Sequence, residues 1–199
     1  MSTTPSRKEL SHQRIVEAAA RALRRAGHDG VGVAEVMKEA GLTHGGFYAH
    51  FASREALIAE AIAHAGRASS ESIGARMAAK AAKGASPLRA LVESYLSDSH
   101  LSALEQGCPV AALASELPRQ EGLLREAGVA RVQGLIERVR EALPAAAKAD
   151  AGVVAASLVG SLQLARALGD NAEGRALLTR SRRQLVERYE RDSEEQKAR

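Results

Sequence analysis

Hydroxyl and imidazole side chains, which can form hydrogen bonds with a partner outside the protein, are concentrated in the range Thr43–Phe51. His44 and Tyr48 are four residues apart, so on a helix they share one side. Phe47 and Phe51 have the same spacing and share another side, which can point into a core. The pattern therefore predicts a short helix with one polar side and one buried apolar side.

Two glycines, Gly45 and Gly46, lie in the first turn of this predicted helix. Each costs about 1 kcal/mol relative to alanine inside a helix. One interpretation is that the backbone must approach a partner closely, as it would in a DNA groove or against a phosphate, which a helix N-terminus attracts. The other interpretation is that the glycines only open a loose turn.

The residues before this stretch predict a second short helix and a tight turn. Gly41 occupies the position where a glycine with positive φ commonly ends a helix, and Leu42 can fill the angle between two helices. Thr43 is a good N-cap for the helix that follows. The combination predicts a helix-turn-helix. The apolar face of its first helix, at positions i, i+3, i+4 and i+7, consists of Val33, Val36, Met37 and Ala40.

The range Gly41–Leu57 resembles the DNA-binding signature of the TetR/AcrR family of bacterial transcriptional regulators. In that signature, a glycine and an aliphatic residue precede a serine or threonine, a variable residue and a glycine. An aromatic residue with a tyrosine, a histidine–phenylalanine pair and a serine–lysine–glutamate run follow. The resemblance extends over about Gln13 to Ile62. Arg54 stands where lysine is usual, which preserves the positive charge.

The resemblance implies a role for each residue that matches the signature. One group is expected to contact DNA phosphates and consists of Thr43, Tyr48, His50 and Arg54. His44 and Gly45 are expected to face base edges or to approach the groove. The residues expected in the core are Val36, Leu42, Phe47 and Phe51. Few side chains are available on this helix, so we expect it to contact few bases directly.

The composition fits a globular protein with a nucleic-acid partner. The chain has 199 residues, of which 45% are hydrophobic, a formal net charge of +4 and a sequence pI of about 9.5. Aromatic residues make up only 3% of the chain, which argues against a protein that binds single strands by stacking bases on aromatic side chains. The single cysteine, Cys108, excludes an intramolecular disulfide and fits a reducing cytoplasm.

The N-terminal residues Met1–Leu10 form a polar arm without the apolar core of a signal peptide. We expect this arm to be disordered in the free protein and close enough to the helix-turn-helix to touch the DNA backbone. The most apolar stretch, Ala151–Ala165, is too short to span a membrane. These features predict no membrane partner, and the resemblance implies a location in the bacterial cytoplasm, in association with the nucleoid.

Helical patterns without strand-like alternation continue to the C-terminus, so we expect an all-α fold of about nine helices. Residues 1–60 would form a three-helix, helix-turn-helix DNA-binding domain, and residues 61–199 a larger ligand-binding and dimerisation domain. Ser53 is the predicted N-cap of the fourth helix, and Glu105–Pro109 interrupts a helix that starts at Pro87. Other predicted helices run from about Ser11 to Ala26, His44 to His50, Pro118 to Leu143, Ala149 to Leu168 and Ala172 to Arg191.

The helix Ala149–Leu168 is the least polar and carries a small residue every fourth position, at Gly152, Ala156 and Gly160. Small residues at that spacing let another helix approach closely. A helix that is apolar nearly all round is buried on several sides, either in a monomeric core or in a self-association surface. In the family that the sequence resembles, the last two long helices form a four-helix bundle with their twofold mates. The resemblance thus implies a homodimer through Ala149–Leu168 and Ala172–Arg191.

Polar anchors for a small molecule are scarce in the C-terminal part of the chain. The candidates are Tyr95, His100, Cys108, Gln163 and Arg166. Cys108 precedes a helix start, where a thiolate is favoured, so it can be a pocket thiol or an electrophile sensor. The alternative is a small buried hydrophobe. The predominance of aliphatic residues predicts a small, largely apolar effector of unspecified identity.

Enzymatic chemistry receives little support from the sequence. His44-Gly45-Gly46 is similar to the oxyanion loop of some esterases, but the G-x-S-x-G elbow and the sheet that such enzymes need are missing. The histidines are scattered, and Cys108 has no cysteine partner, so neither a metal site nor a cofactor is expected. No catalytic residue is predicted.

The function that the resemblance implies is a ligand-responsive transcriptional regulator. It would be a repressor that binds a pseudo-palindromic, double-stranded DNA operator as a homodimer and is released by a small-molecule effector. The alternative is a helical protein–protein adaptor with a vestigial helix-turn-helix. The sequence does not distinguish repression from activation, and it names neither the operator nor the target genes.

Overall fold

The computed structural model describes residues 5–197, and side chains in it are described for residues 5–190. This part of the chain contains nine α-helices and no strand, which confirms the all-α prediction. The helices are α1 (Arg7–Ala26), α2 (Val33–Glu39), α3 (Arg54–Ala81), α4 (Pro87–Tyr95), α5 (Asp98–Ser102), α6 (Pro109–Leu113), α7 (Gly122–Ala142), α8 (Ala151–Leu168) and α9 (Ala172–Lys197). Three short 3₁₀-helices, His44–Ala49, Leu117–Arg119 and Ala145–Asp150, occur between them.

The chain divides into two compact units. The first unit consists of Met1–Ala68 and Glu105–Arg131, and the second consists of Ser69–Leu104 and Val132–Arg199. The helix-turn-helix and the whole of α6 thus belong to the same unit. The functional division of the chain at residue 60 stays a prediction.

Helix α1 begins four residues earlier than the periodicity predicts. Ser6 accepts a hydrogen bond from the backbone N–H of Glu9 (3.2 Å), and the Glu9 carboxylate accepts one from the backbone N–H of Ser6 (2.6 Å). This capping box satisfies N–H groups that the first turn would leave unpaired. Arg7–Leu10 is therefore helical rather than part of a disordered arm, and residues 1–4 of that arm lie outside the described residues.

The core of the first unit is built from α1, α2, the 3₁₀-helix His44–Ala49 and the first half of α3. Its largest side chains are apolar and almost fully buried: Ile15, Leu23, Met37, Phe47, Leu57, Ile58 and Ile62. Ser53 precedes α3 and accepts a hydrogen bond from the N–H of Ala56 (3.1 Å), which confirms it as the N-cap. These contacts fix the start of α3 relative to the helix-turn-helix.

Several predicted helices end differently in the structure. The helix predicted from Pro87 ends at Tyr95, because Ser97 caps a separate short helix, α5, by accepting from the N–H of His100 (3.2 Å). The helix predicted from Pro118 begins at Gly122, after a short 3₁₀-helix that contains the proline. Helix α8 begins at Ala151 rather than Ala149, because Ala145–Asp150 forms a 3₁₀-helix before it.

In the second unit, α8 packs against α9 and buries one side, whose members are Ala151, Val154, Ala155, Leu158, Leu162 and Ala165. Its other side is exposed and carries Val153, Leu164 and Leu168. Among residues 5–197, one helical segment, Ala145–Leu168, is long and apolar enough to cross a membrane. The prediction that this apolar stretch is too short is therefore wrong, because the preceding 3₁₀-helix lengthens it. Helices at the core or interface of soluble proteins meet the same test, so this property is weak support for a membrane location.

Candidate nucleic-acid interface

The turn of the helix-turn-helix has the geometry that its glycine predicts. Gly41 has a φ of +71°, and its N–H donates to the Lys38 carbonyl (3.0 Å). The N–H of Leu42 donates to the Met37 carbonyl (2.9 Å). These two bonds form a Schellman motif, which favours glycine at this position because only glycine adopts positive φ without strain. Leu42 is half-buried and packs against the core, as predicted.

The segment His44–Ala49, hereafter the recognition segment, is a 3₁₀-helix and not the predicted α-helix. Its two glycines are poor helix formers, and its length leaves room for little more than one α-turn. Thr43 precedes it in an extended conformation, but the threonine side chain makes no capping hydrogen bond. The N-cap prediction for Thr43 therefore holds for its position and fails for its side chain.

The polar and apolar sides of the recognition segment are separated as predicted. Phe47 is 2% exposed and stacks on Phe51 with ring centroids 5.7 Å apart. Tyr48 is 77% exposed, and Thr43 and His44 are also exposed. The structure thus brings three of the predicted DNA-binding side chains to the outer surface of one short segment.

Gly45 has no packing reason to be glycine. A Cβ atom built at this residue meets no protein atom within 4 Å, and its φ is not in the positive range. A side chain at position 45 would therefore project into open space. Because Gly45 has no side chain, its backbone is accessible to a binding partner.

His50 lies at the end of the recognition segment and is half-buried. Burial lowers the pKa of the His50 imidazole, and electrostatic interactions with His12 and Lys8 lower it further. The ring is therefore neutral at pH 7, and its buried Nδ1 has no hydrogen-bond partner among the described residues. In the tautomer that carries its hydrogen on Nε2, the ring can donate a hydrogen bond to a phosphate.

Arg54 is the first residue of α3, and its guanidinium is bound to the turn between α1 and α2. Nε donates to the Val31 carbonyl (3.1 Å), and Nη2 donates to the His28 carbonyl. Arginine carries five N–H groups in a planar fork, so donors on Nη1 remain for a second partner. Since α3 is a long helix, its N-terminus adds a favourable field for an anion at this place.

The ligand candidates fall into both compact units. In the second unit, His100 Nδ1 donates to the Tyr95 carbonyl (2.6 Å), and Arg166 Nη2 donates to the His100 carbonyl (2.8 Å). Gln163 lies on α8, one turn before Arg166. Cys108 belongs to the first unit, directly before α6, and is 6% exposed. The structure therefore brings Tyr95, His100 and Arg166 together.

Burial lowers the pKa of His100 to about 4, an effect that the positive charges of Arg166 and Arg76 strengthen and the hydrogen bond to Tyr95 opposes. His100 is therefore neutral at pH 7. Within residues 5–197, no group of three or more histidine, cysteine or carboxylate side chains could hold a metal ion.

Two family models match the sequence. The model described as bacterial regulatory proteins, tetR family, matches residues 15–61. The model described as tetracyclin repressor-like, C-terminal domain, matches residues 84–185, which is more than half of the chain. The chain belongs to the TetR family. It is a transcriptional regulator with an N-terminal helix-turn-helix, and the match gives no support to the adaptor alternative.

Solved structures of TetR-family regulators have the same fold. A regulator from Agrobacterium tumefaciens aligns with a TM-score of 0.73 at 21% identity, over 92% of this chain and 98% of that one. A regulator from Streptomyces coelicolor aligns with a TM-score of 0.69 at 24% identity, over 95% and 91%. AibR, whose structure contains isovaleryl coenzyme A and operator DNA, aligns with a TM-score of 0.59 at 20% identity, over 79% and 86%. No curated protein sequence matches the chain significantly.

Three residues of this TetR-family protein that contact the interface, or the turn that holds Arg54, are not among the site residues that the sequence predicts. His12 stacks on Phe51 with ring centroids 4.5 Å apart, and its Nε2 lies 2.8 Å from a Glu60 carboxylate oxygen. His28 and Glu116 are hydrogen-bonded to each other beside Arg54. Glu116 is 88 positions from His28, so no local spacing could reveal the pair. For His12, the only signal in the sequence is a histidine on α1, which also carries other polar and charged residues.

Proposed function

We propose that the protein is a repressor that binds a pseudo-palindromic operator as a homodimer and is released by a small-molecule effector. The observation that carries the DNA-binding part is the recognition segment, where exposed polar side chains surround a glycine without a packing role. Thr43, Tyr48, His50 and Arg54 would contact phosphates. His44 and the bare backbone of Gly45 would approach the base edges of the major groove.

A homodimer is supported by the exposed side of α8. Val153 is 58% exposed and Leu164 is 62% exposed, and half-buried or exposed small residues lie between them at Ala156 and Gly160. An apolar side with small residues permits close helix packing and is costly to leave in water. A second copy of α8 and α9 would cover it.

The proposed effector is a small, largely apolar molecule. Candidate contacts in the second unit are Tyr95, His100, Gln163 and Arg166, and Cys108 is a separate candidate in the first unit. The few polar candidates among many buried aliphatic and small residues support an apolar effector. Release of DNA requires only that the effector binds a conformation of the dimer with wrongly spaced recognition segments better than the DNA-bound one.

A gel shift with DNA from beside the protein's own coding region tests the proposal. The full-length protein is expected to shift this DNA, and Tyr48→Ala to weaken the shift. Leu123→Ala is the control, because it removes a side chain of similar exposure (56%) outside the interface. If the protein shifts no fragment of its own locus at low salt and without effector, the proposal is wrong. The adaptor hypothesis would then be the better explanation.

A further inference from the structure

Glu116 connects the chain segment after α6 to the turn that follows α1. One of its carboxylate oxygens accepts from the backbone N–H of His28 (2.8 Å) and lies 2.8 Å from the His28 ring Nδ1. His28 is 2% exposed, so the carboxylate serves a buried imidazole. A carboxylate beside Nδ1 favours the tautomer that carries its proton there.

Gly27 leaves the space that the Glu116 carboxylate occupies. It ends α1 with a φ of +73°, and a Cβ atom built on it would collide with the carboxylate of Glu116. Only glycine meets both requirements, since it adopts positive φ without strain and has no side chain. The end of α1 is therefore shaped to receive the Glu116 side chain.

The same turn holds Arg54 from its other side. The carbonyl of His28 accepts from Nη2 of Arg54, and the carbonyl of the buried Val31 accepts from Nε. Glu116 thus fixes the N–H and the ring of the residue whose carbonyl binds the arginine. The hydrogen bonds run without a gap from Glu116 through His28 to the guanidinium at the start of α3.

Two fixed carbonyls restrict the side chain of Arg54 before any DNA arrives. A preorganised guanidinium loses less rotamer freedom on binding a phosphate than a free one, and the donors on Nη1 remain available. Lysine, which the family signature usually has here, carries a compact ammonium on a flexible stem and lacks this planar fork. The turn can therefore hold the positive charge of Arg54 in one position, which it could not do with the flexible ammonium of a lysine.

We propose that Glu116 is a positioning residue for DNA binding, which acts through His28 to hold Arg54 against an operator phosphate. The inference rests on the proposed operator contact of Arg54. Since Glu116 lies in the segment that directly follows α6, a displacement of this segment would release the turn and with it the arginine. Loss of Glu116 then weakens DNA binding only as long as Arg54 is present.

The test uses the full-length protein and the fragment that it shifts, with fluorescence anisotropy over a range of salt concentrations. Arg54→Ala is expected to weaken binding about tenfold for every DNA sequence and to reduce the salt slope by ~1 per half-site. Glu116→Ala is expected to weaken binding about fivefold, the factor that corresponds to one hydrogen bond. Glu116→Gln keeps an oxygen that accepts both bonds, so its affinity is expected to stay within about twofold of the native value.

The double variant Glu116→Ala/Arg54→Ala separates positioning from general damage. If Glu116 acts through Arg54, this double variant binds as Arg54→Ala does, because the second change has nothing left to release. Glu105→Ala is the matched control: Glu105 belongs to the same compact unit, precedes α6 and pairs with Arg25 of α1 (2.8 Å) rather than with the turn that holds Arg54. It is expected to bind like the native protein.

Each other outcome overturns the inference. If the factors by which the two single variants weaken DNA binding multiply in the double variant, Glu116 does not act through Arg54. An unchanged affinity of Glu116→Ala leads to the same conclusion. If circular dichroism shows that Glu116→Ala does not fold, Glu116→Asp replaces it, since it keeps the charge but is too short to reach His28 and is expected to weaken binding about as much. An Arg54→Ala variant with native affinity would overturn the positioning role while DNA binding stands, whereas a native protein that binds no DNA would overturn the proposed function itself.

Discussion

At the scale of single residues, a substitution at Gly45 tests whether glycine is needed there for contact with DNA rather than for packing. A methyl group at this position meets no protein atom, so the native fold does not require glycine there. Gly45→Ala is expected to leave the thermal midpoint unchanged or slightly raised, since alanine is the better helix former by about 1 kcal/mol. Operator affinity is expected to fall about tenfold, because the methyl group would intervene between backbone and groove.

Gly134→Ala is the matched control for that experiment. Gly134 lies on α7, and a Cβ atom there also meets nothing within 4 Å. The variant is expected to gain a similar amount of stability and to bind the operator like the native protein. If Gly45→Ala also binds like the native protein, the glycine only opens the turn.

The lowered pKa of His100 should make the free energy of unfolding depend measurably on pH. Its pKa is about 4 in the folded protein, mainly because it is buried, against 6.5 in the unfolded chain. Between these values the unfolded chain binds the proton and the folded one does not. The contribution to the free energy of unfolding is thus complete above pH 6.5 and is lost as the pH falls toward 4, by at most about 3 kcal/mol.

Denaturant unfolding of the native protein and of His100→Asn at several pH values checks this. The asparagine N–H₂ group can replace the Nδ1 donor toward the Tyr95 carbonyl, but it does not titrate. The difference in stability between the two proteins is expected to shrink from pH 7 to pH 4, whereas the carboxylates that also titrate in this range affect both equally. A constant difference would show that His100 is protonated normally.

The sequence predicts residue roles well where they depend on local spacing. The alternation of Phe47 and Phe51 with His44 and Tyr48 predicts which side is buried, because helical periodicity alone decides it. The partners of Arg54 could not be predicted in this way. They are main-chain carbonyls 23 and 26 positions away, and backbone oxygens leave no trace in the residue types.

At the scale of elements, the sequence predicts the order of the helical segments but not where each begins and ends or how it is divided. The helix predicted from Pro87 is two helices, and the predicted recognition helix is a 3₁₀-helix. Proline, glycine and the apolar stripes indicate where helices must stop. Side-chain caps decide the last turn: Ser6 lengthens α1, and Ser97 starts α5 as a separate helix. The recognition segment is a 3₁₀-helix rather than an α-helix because it is short and its two glycines are poor helix formers, while the packing of Phe47 and Phe51 keeps its apolar side buried.

The exposed apolar side of α8 is the proposed dimer contact. Leu164→Glu is expected to convert the dimer into a monomer, because a buried carboxylate without a partner is costly at an apolar helix contact. The fold itself should persist, since Leu164 is 62% exposed in the single chain. Light scattering is expected to give twice 21.0 kDa for the native protein and 21.0 kDa for the variant.

Leu123→Glu is the control for this change. It introduces the same charge at a leucine that is 56% exposed on α7, in the first unit rather than the second, and is expected to remain dimeric. A dimer that survives Leu164→Glu would place the self-association surface elsewhere.

At the scale of the whole molecule, DNA binding by the proposed homodimer would make the spacing of the two half-sites decisive. Two recognition segments in successive major grooves must lie ~34–36 Å apart, which corresponds to one turn of DNA. A single helix-turn-helix with few direct base contacts binds weakly, so most of the operator affinity comes from the second, intramolecular contact. Linking two such contacts commonly raises affinity by about 10² to 10⁴.

Inserting five base pairs between the half-sites of the operator places them on opposite faces of the duplex. The native dimer is then expected to lose about 100-fold in affinity, because only one recognition segment can bind at a time, and a ten-base-pair insertion is expected to lose less because it restores the face. The monomeric Leu164→Glu variant serves as internal control, since it has no second contact to lose and is expected to bind all three operators equally. Anisotropy measurements at one salt concentration decide between the outcomes.

If the native protein tolerates the five-base-pair insertion, the dimer does not fix the distance between its recognition segments. An effector could not then release DNA by changing that distance, and the proposed mechanism of induction would be wrong even though DNA binding stands.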